Sequence, residues 1–195
     1  MVQHLSLLRE VSWEDIFAVW RANEGADPVW QEFARKEKGW GSWEEWRSHQ
    51  AAQLGAKERQ WRLYEMTDPN LAVPKFRMGP FGGWQKQYEE KNVHTFEDLV
   101  RDHTDWVREN IGVRSRLANF PQGTRFIGLY LSDDDAIVLY EGHHRAAAIA
   151  LAVHDKHPIE FTTKPTIALT TLEGDVHDLL NRLLDSKSEN PQRKI

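Results

Sequence analysis

The sequence predicts an α+β protein in which a tryptophan-rich, helical N-terminal part packs on a small mixed β-sheet. The chain of 195 residues contains nine tryptophans, of which eight precede residue 100 and none follows residue 106. Helix-start signals recur in that first part, whereas the later part carries short apolar runs bounded by turn residues. We therefore expect helices first and a sheet from about residue 124 onward.

The first helices are predicted from their capping residues. Ser12, Asp27 and Ser42 each stand directly before a segment with apolar residues at helical spacing. Serine and aspartate at such positions accept hydrogen bonds from the free backbone N–H groups of the first turn. A further helix is expected over residues 55–65, because aromatic residues follow a glycine break there.

The middle of the chain connects the two parts. Residues 71–84 contain two prolines and three glycines, which predicts an irregular segment. Thr95 has the position of an N-cap, and the helix that it begins is expected to end at Gly112.

The strands are predicted from apolar runs in the last third. Residues 124–131 and 136–140 are expected to form a hairpin around an acidic turn, and residues 158–161 and 165–170 two further strands. A final helix is expected after Gly174.

The chain divides by composition into three regions. Residues 1–110 form the tryptophan-rich helical region, residues 111–185 the α/β domain, and the polar residues 186–195 are expected to be a disordered tail. The first two regions form either separate domains or one compact unit.

Composition limits the classes of function. A net charge of −5 and a pI near 6.0 argue against broad, nonspecific nucleic-acid binding on electrostatic grounds. Without cysteine the chain has no disulfide and no thiolate metal site, which fits a cytoplasmic protein. We see neither a membrane-spanning apolar run nor a signal peptide, so no contact with a membrane is expected.

One segment carries most of the functional signal. It reads A-I-V-L-Y-E-G-H-H-R-A-A-A-I-A-L-A-V over residues 136–153 and predicts a buried strand, a sharp turn at Gly142 and an alanine-rich helix. A helix N-terminus attracts anions through its free N–H groups and its dipole. His143, His144 and Arg145 stand at that N-terminus, so we predict a phosphate site, although an ordinary turn with solvated side chains is the alternative.

The segment E-G-H-H-R-A-A-A resembles the G-x-H/R-R box of the ParB/sulfiredoxin-like superfamily, over about residues 126–172. It is most similar to the ParB-like free serine kinases, whose box reads D-G-H-H-R. The resemblance implies a ParB/sulfiredoxin-like fold that binds a nucleotide phosphate at this turn, and an ATP- or ADP-dependent small-molecule kinase using Mg²⁺. Sulfiredoxins carry a reactive cysteine where His143 stands, so their redox chemistry is excluded, and ParB has G-E-R-R in place of the two histidines.

Within this hypothesis Gly142, His143, His144 and Arg145 bind the phosphates of a nucleotide or a phosphorylated small molecule. Glu141 is the candidate catalytic group, because it could accept a proton from an attacking hydroxyl or hold Mg²⁺. The alternative is that Glu141 pairs with Arg145 or a histidine and orients the turn.

Residues 75–84 have two open interpretations. Glycines and basic residues could form a lid over a ligand, with Arg77, Gly82, Gly83 and Lys86 as its candidate residues. The other interpretation is a structural crossover that joins the helical region to the α/β domain. The segment is not a P-loop, because Trp84 stands where that motif requires lysine.

The remaining motifs favour structural roles. Trp43, Trp46 and Arg47 have helical spacing and are expected in the core, although a partner interface through the tryptophan-rich helices is the competing interpretation. That interpretation leads to the alternative function, a non-catalytic protein-interaction module. Three aspartates at 133–135 are expected to be a solvated turn, and His154 and His157 lack the further ligands that a zinc site needs.

Overall fold

The computed structural model describes residues 4–174 and 176–185. Its centre is a five-stranded mixed sheet with the strand order β1-β2-β5-β3-β4. The strands are β1 (Leu5–Val11), β2 (Trp61–Met66), β3 (Arg125–Leu131), β4 (Ala136–Glu141) and β5 (Thr166–Leu172). Only β3 and β5 run parallel, and the other neighbours are antiparallel. The fold class is therefore mixed, with helices and one mixed sheet, as the sequence predicts.

The helices cover both faces of this sheet. In the described part of the chain they are α1 (Trp13–Trp20), α2 (Pro28–Lys36), α3 (Trp43–Leu54), α4 (Pro69–Ala72), α5 (Gly82–Gln85), α6 (Phe96–Asp102), α7 (Thr104–Glu109), α8 (Ile111–Ala118), α9 (His143–His154) and α10 (His177–Asp185). Alternate residues of each central strand face opposite layers. Phe126 of β3 belongs to the core beneath α6 and α9, whereas its neighbour Ile127 belongs to the core beneath α1 and α3.

The predicted capping residues begin their helices. Ser12 accepts a hydrogen bond from the amide of Asp15 at 3.1 Å, and Ser42 accepts one from Glu45 at the same distance. Asp27 caps α2 through the amide of Val29 at 2.9 Å. Helices α1 and α3 bring four tryptophans into the core on their face of the sheet, namely Trp13, Trp20, Trp43 and Trp46, and β2 adds Trp61. The core interpretation of Trp43, Trp46 and Arg47 is confirmed, since all three are buried.

The sheet begins earlier than the sequence predicts. Residues 61–66 form a strand and not a helix, and they pair with both β1 and β5. Trp61 and Leu63 are buried while Arg62 between them is exposed, which is the alternation of a half-buried strand. Strands from both sides of residue 110 therefore share one sheet.

Two other predictions are wrong. Residues 158–161 form no strand, and the carbonyl of Ile159 instead accepts a hydrogen bond from the Asn70 side chain at 3.0 Å. Gly112 ends no helix but lies in the first turn of α8, whose N-cap is Asn110. The helix that Thr95 begins is broken at His103, whose backbone has φ −136° and ψ 41°. The predicted tail, residues 186–195, lies outside the described residues.

A short crossing segment closes one edge of the sheet. The amide of Arg77 donates to the carbonyl of Ile137 at 2.8 Å, and the amide of Leu139 donates to the carbonyl of Arg77 at 2.9 Å. The free edge of β4 is therefore covered, and the chain continues from Arg77 toward the turn that follows β4.

Candidate functional site

A cleft of about 960 Å³ opens at the end of the sheet where β4 ends and β3 and β5 begin. The predicted phosphate-site residues line it together with the predicted catalytic residue: Glu141, Gly142, His143, His144 and Arg145. Its other walls come from the helices α1 to α3, from the end of α8 and the chain leading into β3, and from residues 80–84. Such a volume is at the upper end of the usual range for small-molecule sites.

Gly142 forms the turn and is needed there. Its φ is +108°, a region that residues with a side chain rarely adopt. A Cβ at this position would also approach the Phe126 ring to within 2.9 Å of Cε1. No side chain of the described residues caps α9, so the first-turn amides of this helix have no side-chain partner there.

His143 is used inside the protein. Its Nε2 accepts a hydrogen bond from the backbone amide of Gly79 at 3.0 Å, so the neutral ring carries its proton on Nδ1. Burial, with nearby positive charges, lowers the pKa of His143 to about 3. The ring also stacks on Trp84, with centroids 5.5 Å apart. His143 therefore fastens the segment before α5 to the N-terminus of α9.

Arg145 is also bound internally. Its guanidinium donates to the carbonyl of Arg125 at 2.9 Å, and to the Thr124 hydroxyl and the Glu141 carboxylate. It lies over the Phe126 ring, 4.9 Å from the centroid. These contacts tie α9 to the end of β4 and the beginning of β3.

Glu141 makes the ion pair that the sequence left open as an alternative. Its Oε1 accepts from Arg145, and both side chains are about nine-tenths buried. Burial raises the pKa of Glu141, and the positive charge of Arg145 opposes that shift. Glu24, which lines the same cleft, raises the same pKa further.

His144 differs from its neighbour. Neither ring nitrogen has a hydrogen-bond partner among the described residues, and the ring lines the cleft. Its edge contacts Trp84, with centroids 5.1 Å apart. Burial lowers the pKa of His144, and Arg116 lowers it further.

The cleft is electropositive in an acidic protein. Among the described residues, five basic side chains but only two carboxylates line it, namely Lys38, Arg47, Arg116, Arg125 and Arg145 against Glu24 and Glu141. Arg116 and Arg125 have no ion-pair partner within residues 4–174 and 176–185, and Nε of Arg125 is buried without a hydrogen-bond partner. Desolvation lowers the pKa of Arg125. Sequence analysis missed both arginines, because they lie outside the box.

The opposite wall is aromatic and contains a second ion pair. Glu24 lies in a π-helical turn after α1, and its Oε2 accepts from the indoles of Trp20 at 2.9 Å and Trp43 at 3.2 Å. The same oxygen accepts from Arg47 at 3.1 Å. The Arg47 guanidinium lies over the rings of Trp20 and Trp46. No local motif marks Glu24, although π-turns are frequent at functional sites.

Three buried polar atoms on this side have no partner in the part of the chain that the structure describes. They are Nε1 of Trp46, Nε of Arg47 and the hydroxyl of Tyr140, and all three residues line the cleft. Burial raises the pKa of Tyr140, so its hydroxyl keeps its proton. Buried polar atoms are normally hydrogen-bonded, and these donors suit a ligand or solvent that carries acceptors.

The candidate lid residues separate into two groups. Gly82 and Gly83 line the cleft, and a Cβ on either would meet nothing within 4 Å. Arg77 pairs with Asp134 at 2.5 Å, and Lys86 lies over the Trp106 ring, so neither lines the cleft. The segment thus crosses β4 at one end and forms a wall of the cleft at the other.

Comparison of the chain with protein-family models, with curated proteins and with solved structures gives no match. In the described ranges, no helix is long and apolar enough to cross a bilayer, and no three histidine, aspartate or glutamate side chains group as a metal site would.

Proposed function

We propose that the cleft binds a nucleotide, with its phosphates on Arg116 and Arg125 and its base on the aromatic wall. The observation that carries this proposal is that two arginines without an ion-pair partner in the described residues line a cleft of positive charge in a protein of net charge −5. Such guanidinium groups pair with phosphate in a bidentate geometry. The contacts of Arg145 suit a structural role, in which it holds the beginning of β3 and hence Arg125.

The aromatic wall is the argument for a base as the second part of the ligand. Trp30 and Phe33 of α2 are half-buried and line the cleft, whereas Trp20 and Trp46 lie deeper. Planar bases stack on such rings with little dependence on sequence. A ligand with both an anionic and a planar aromatic part therefore matches both walls.

Membership in the ParB/sulfiredoxin-like superfamily is part of the proposal. The box residues lie at the strand–turn–helix junction beside the cleft, where the resemblance predicts a phosphate. The buried tryptophans leave the interaction-module hypothesis without a specific observation in its favour.

A phosphotransferase is the second candidate function, and the two carboxylates favour it. Glu24 and Glu141 come from opposite walls, and one carboxylate oxygen of each accepts a hydrogen bond from an arginine. Two carboxylates together with substrate phosphates are a common ligand set for Mg²⁺. In this version Glu24 and Glu141 hold Mg²⁺, which would neutralise charge on the transferring phosphoryl group.

Titration calorimetry with ATP, ADP and pyrophosphate, with and without Mg²⁺, tests the proposal. We expect Arg116→Ala to weaken nucleotide binding by about tenfold or more, which corresponds to about 1.4 kcal/mol. Arg114→Ala is the matched control, because Arg114 is exposed on the same helix but does not line the cleft.

In a thermal melt, ligand at about 100 times its Kd should stabilise the protein by about 2.7 kcal/mol. Absence of binding by all three ligands would refute the proposal. Equal weakening by Arg114→Ala and Arg116→Ala would place the phosphates elsewhere.

A further inference from the structure

His144 is the imidazole of the cleft that the protein leaves chemically free. His143 has its Nε2 occupied by the amide of Gly79, whereas no described residue hydrogen-bonds to either nitrogen of His144. The side chain is half-buried and lines the cleft. A neutral imidazole with an available lone pair is a nucleophile.

The ring is held in one orientation by its surroundings. Its Cδ2–Nε2 edge packs on Gly112 of α8, where a Cβ would come within 2.6 Å of Nε2. Trp84 meets the ring from another side in an edge contact. Nδ1 therefore lies on the edge of the ring that faces away from Gly112.

The electrostatic surroundings favour a phosphoryl acceptor. Burial and Arg116 both keep the ring neutral by lowering its pKa, so the lone pair is available at neutral pH. Arg116 lines the same cleft and can neutralise the charge of a phosphoryl group beside the ring. Phosphoryl transfer depends mainly on such positioning and charge neutralisation.

We propose that Nδ1 of His144 accepts a phosphoryl group, so that the cleft forms a phosphohistidine. This inference rests on the proposed binding of phosphate in the same cleft. The lone pair of Nδ1 attacks phosphorus, the N–P bond forms, and the bond from phosphorus to the leaving group breaks with its electron pair. When the donor is a nucleoside triphosphate, attack is on its terminal phosphorus and the leaving group is the nucleoside diphosphate. The ring proton on Nε2 is then released to solvent.

The test uses phosphoramidate, a small donor that needs no base-binding site. Attack by Nδ1 breaks its P–N bond and releases ammonia. We expect the intact protein to gain the mass of one phosphoryl group, stable in alkali and labile in acid, and peptide mapping of the wild-type chain to locate it on His144. Labelling of His144 should be about tenfold faster than that of exposed His157.

His144→Gln should abolish the fast labelling by phosphoramidate, and His157→Gln should leave it unchanged. Gly112→Ala should slow it, because the added methyl group displaces the ring. Labelling of His144 no faster in the folded protein than in urea, or located mainly on another histidine, would overturn the inference. If the protein binds nucleotide but His144 is not labelled, the phosphohistidine inference is wrong and the proposed nucleotide function stands. If His144 is labelled but no nucleotide binds, the proposed nucleotide function is wrong and the phosphohistidine inference stands.

Discussion

The two walls of the cleft each hold a glutamate–arginine pair with little solvent exposure, and the pairs are built differently. Arg145 and Glu141 lie four residues apart and join the end of β4 to the first turn of α9. Arg47 and Glu24 lie 23 residues apart and join α3 to the π-turn after α1. In the first pair Arg145 is the one described hydrogen-bond donor to the Glu141 carboxylate, whereas in the second the Glu24 oxygen also receives two indole N–H groups.

This difference shows where binding capacity remains. The arginine of the box is occupied by a carboxylate, a hydroxyl and a carbonyl. Of the arginines that line the cleft, Arg116 and Arg125 have no ion-pair partner in the described part of the chain, and both come from segments without a motif. The arginine of the motif therefore makes internal contacts, and in our proposal the contacts to the ligand come from residues outside the motif.

Removing the arginine of each pair gives the largest contrast. We expect Arg145→Met to reduce the free energy of unfolding by about 3–5 kcal/mol, because it leaves a buried carboxylate without its charged partner. Arg47→Met should cost less, about 1–3 kcal/mol, since Glu24 keeps the indole donors of Trp20 and Trp43. Urea unfolding of both variants measures the difference.

The double variant Glu141→Leu, Arg145→Met sharpens this comparison. Replacing both charges should be less damaging than removing one, because no buried charge is then left unpaired. Equal losses in Arg145→Met and Arg47→Met would show that the indole donors do not compensate.

Gly142→Ala should have the next largest effect, about 2–3 kcal/mol, because of its positive φ and the contact of a Cβ with the Phe126 ring. Gly82→Ala is the matched control, since a Cβ there meets nothing within 4 Å, and it should change the free energy of unfolding by less than about 0.5 kcal/mol. Similar losses for both glycines in urea unfolding would contradict the assigned role of the turn.

His143→Gln should change the acid stability. Because the pKa of His143 falls from 6.5 in the unfolded chain to about 3 in the folded protein, the unfolded state takes up the proton first as the pH drops. The contribution of neutral His143 to the free energy of unfolding is complete above about pH 6.5. It is lost as the pH falls toward 3, by at most about 1.4 kcal/mol per pH unit.

Glutamine does not titrate, and its amide oxygen can accept the Gly79 N–H group in place of Nε2. The free energy of unfolding of His143→Gln should therefore depend less steeply on pH between 6.5 and 4 than that of the wild type. Parallel pH profiles for the two proteins would show that His143 is not the titrating group.

Local signals predicted the elements that local forces define. The caps at Ser12, Asp27 and Ser42 and the strand–turn–helix around Gly142 are as expected, because each depends on neighbouring backbone groups. Residues 61–66 form a strand where the sequence predicts a helix, since their alternation is short and their pairing partners lie far away in the chain. The pairing of Glu141 with Arg145 was within reach of the sequence as an alternative, whereas nothing local indicated Glu24.

By itself, the sequence determined the helix starts, the glycine turn and the position of a basic helix N-terminus, because these depend on contacts within a few residues. Only the tertiary structure decided which basic groups face the cleft without an ion-pair partner in the described chain. In the folded protein, His143 and Arg145 make internal hydrogen bonds, and Arg116, Arg125 and Glu24 line the same cleft. The physical reason is that hydrogen bonds and ion pairs are satisfied between groups that are close in space, and the folding of distant segments sets that closeness.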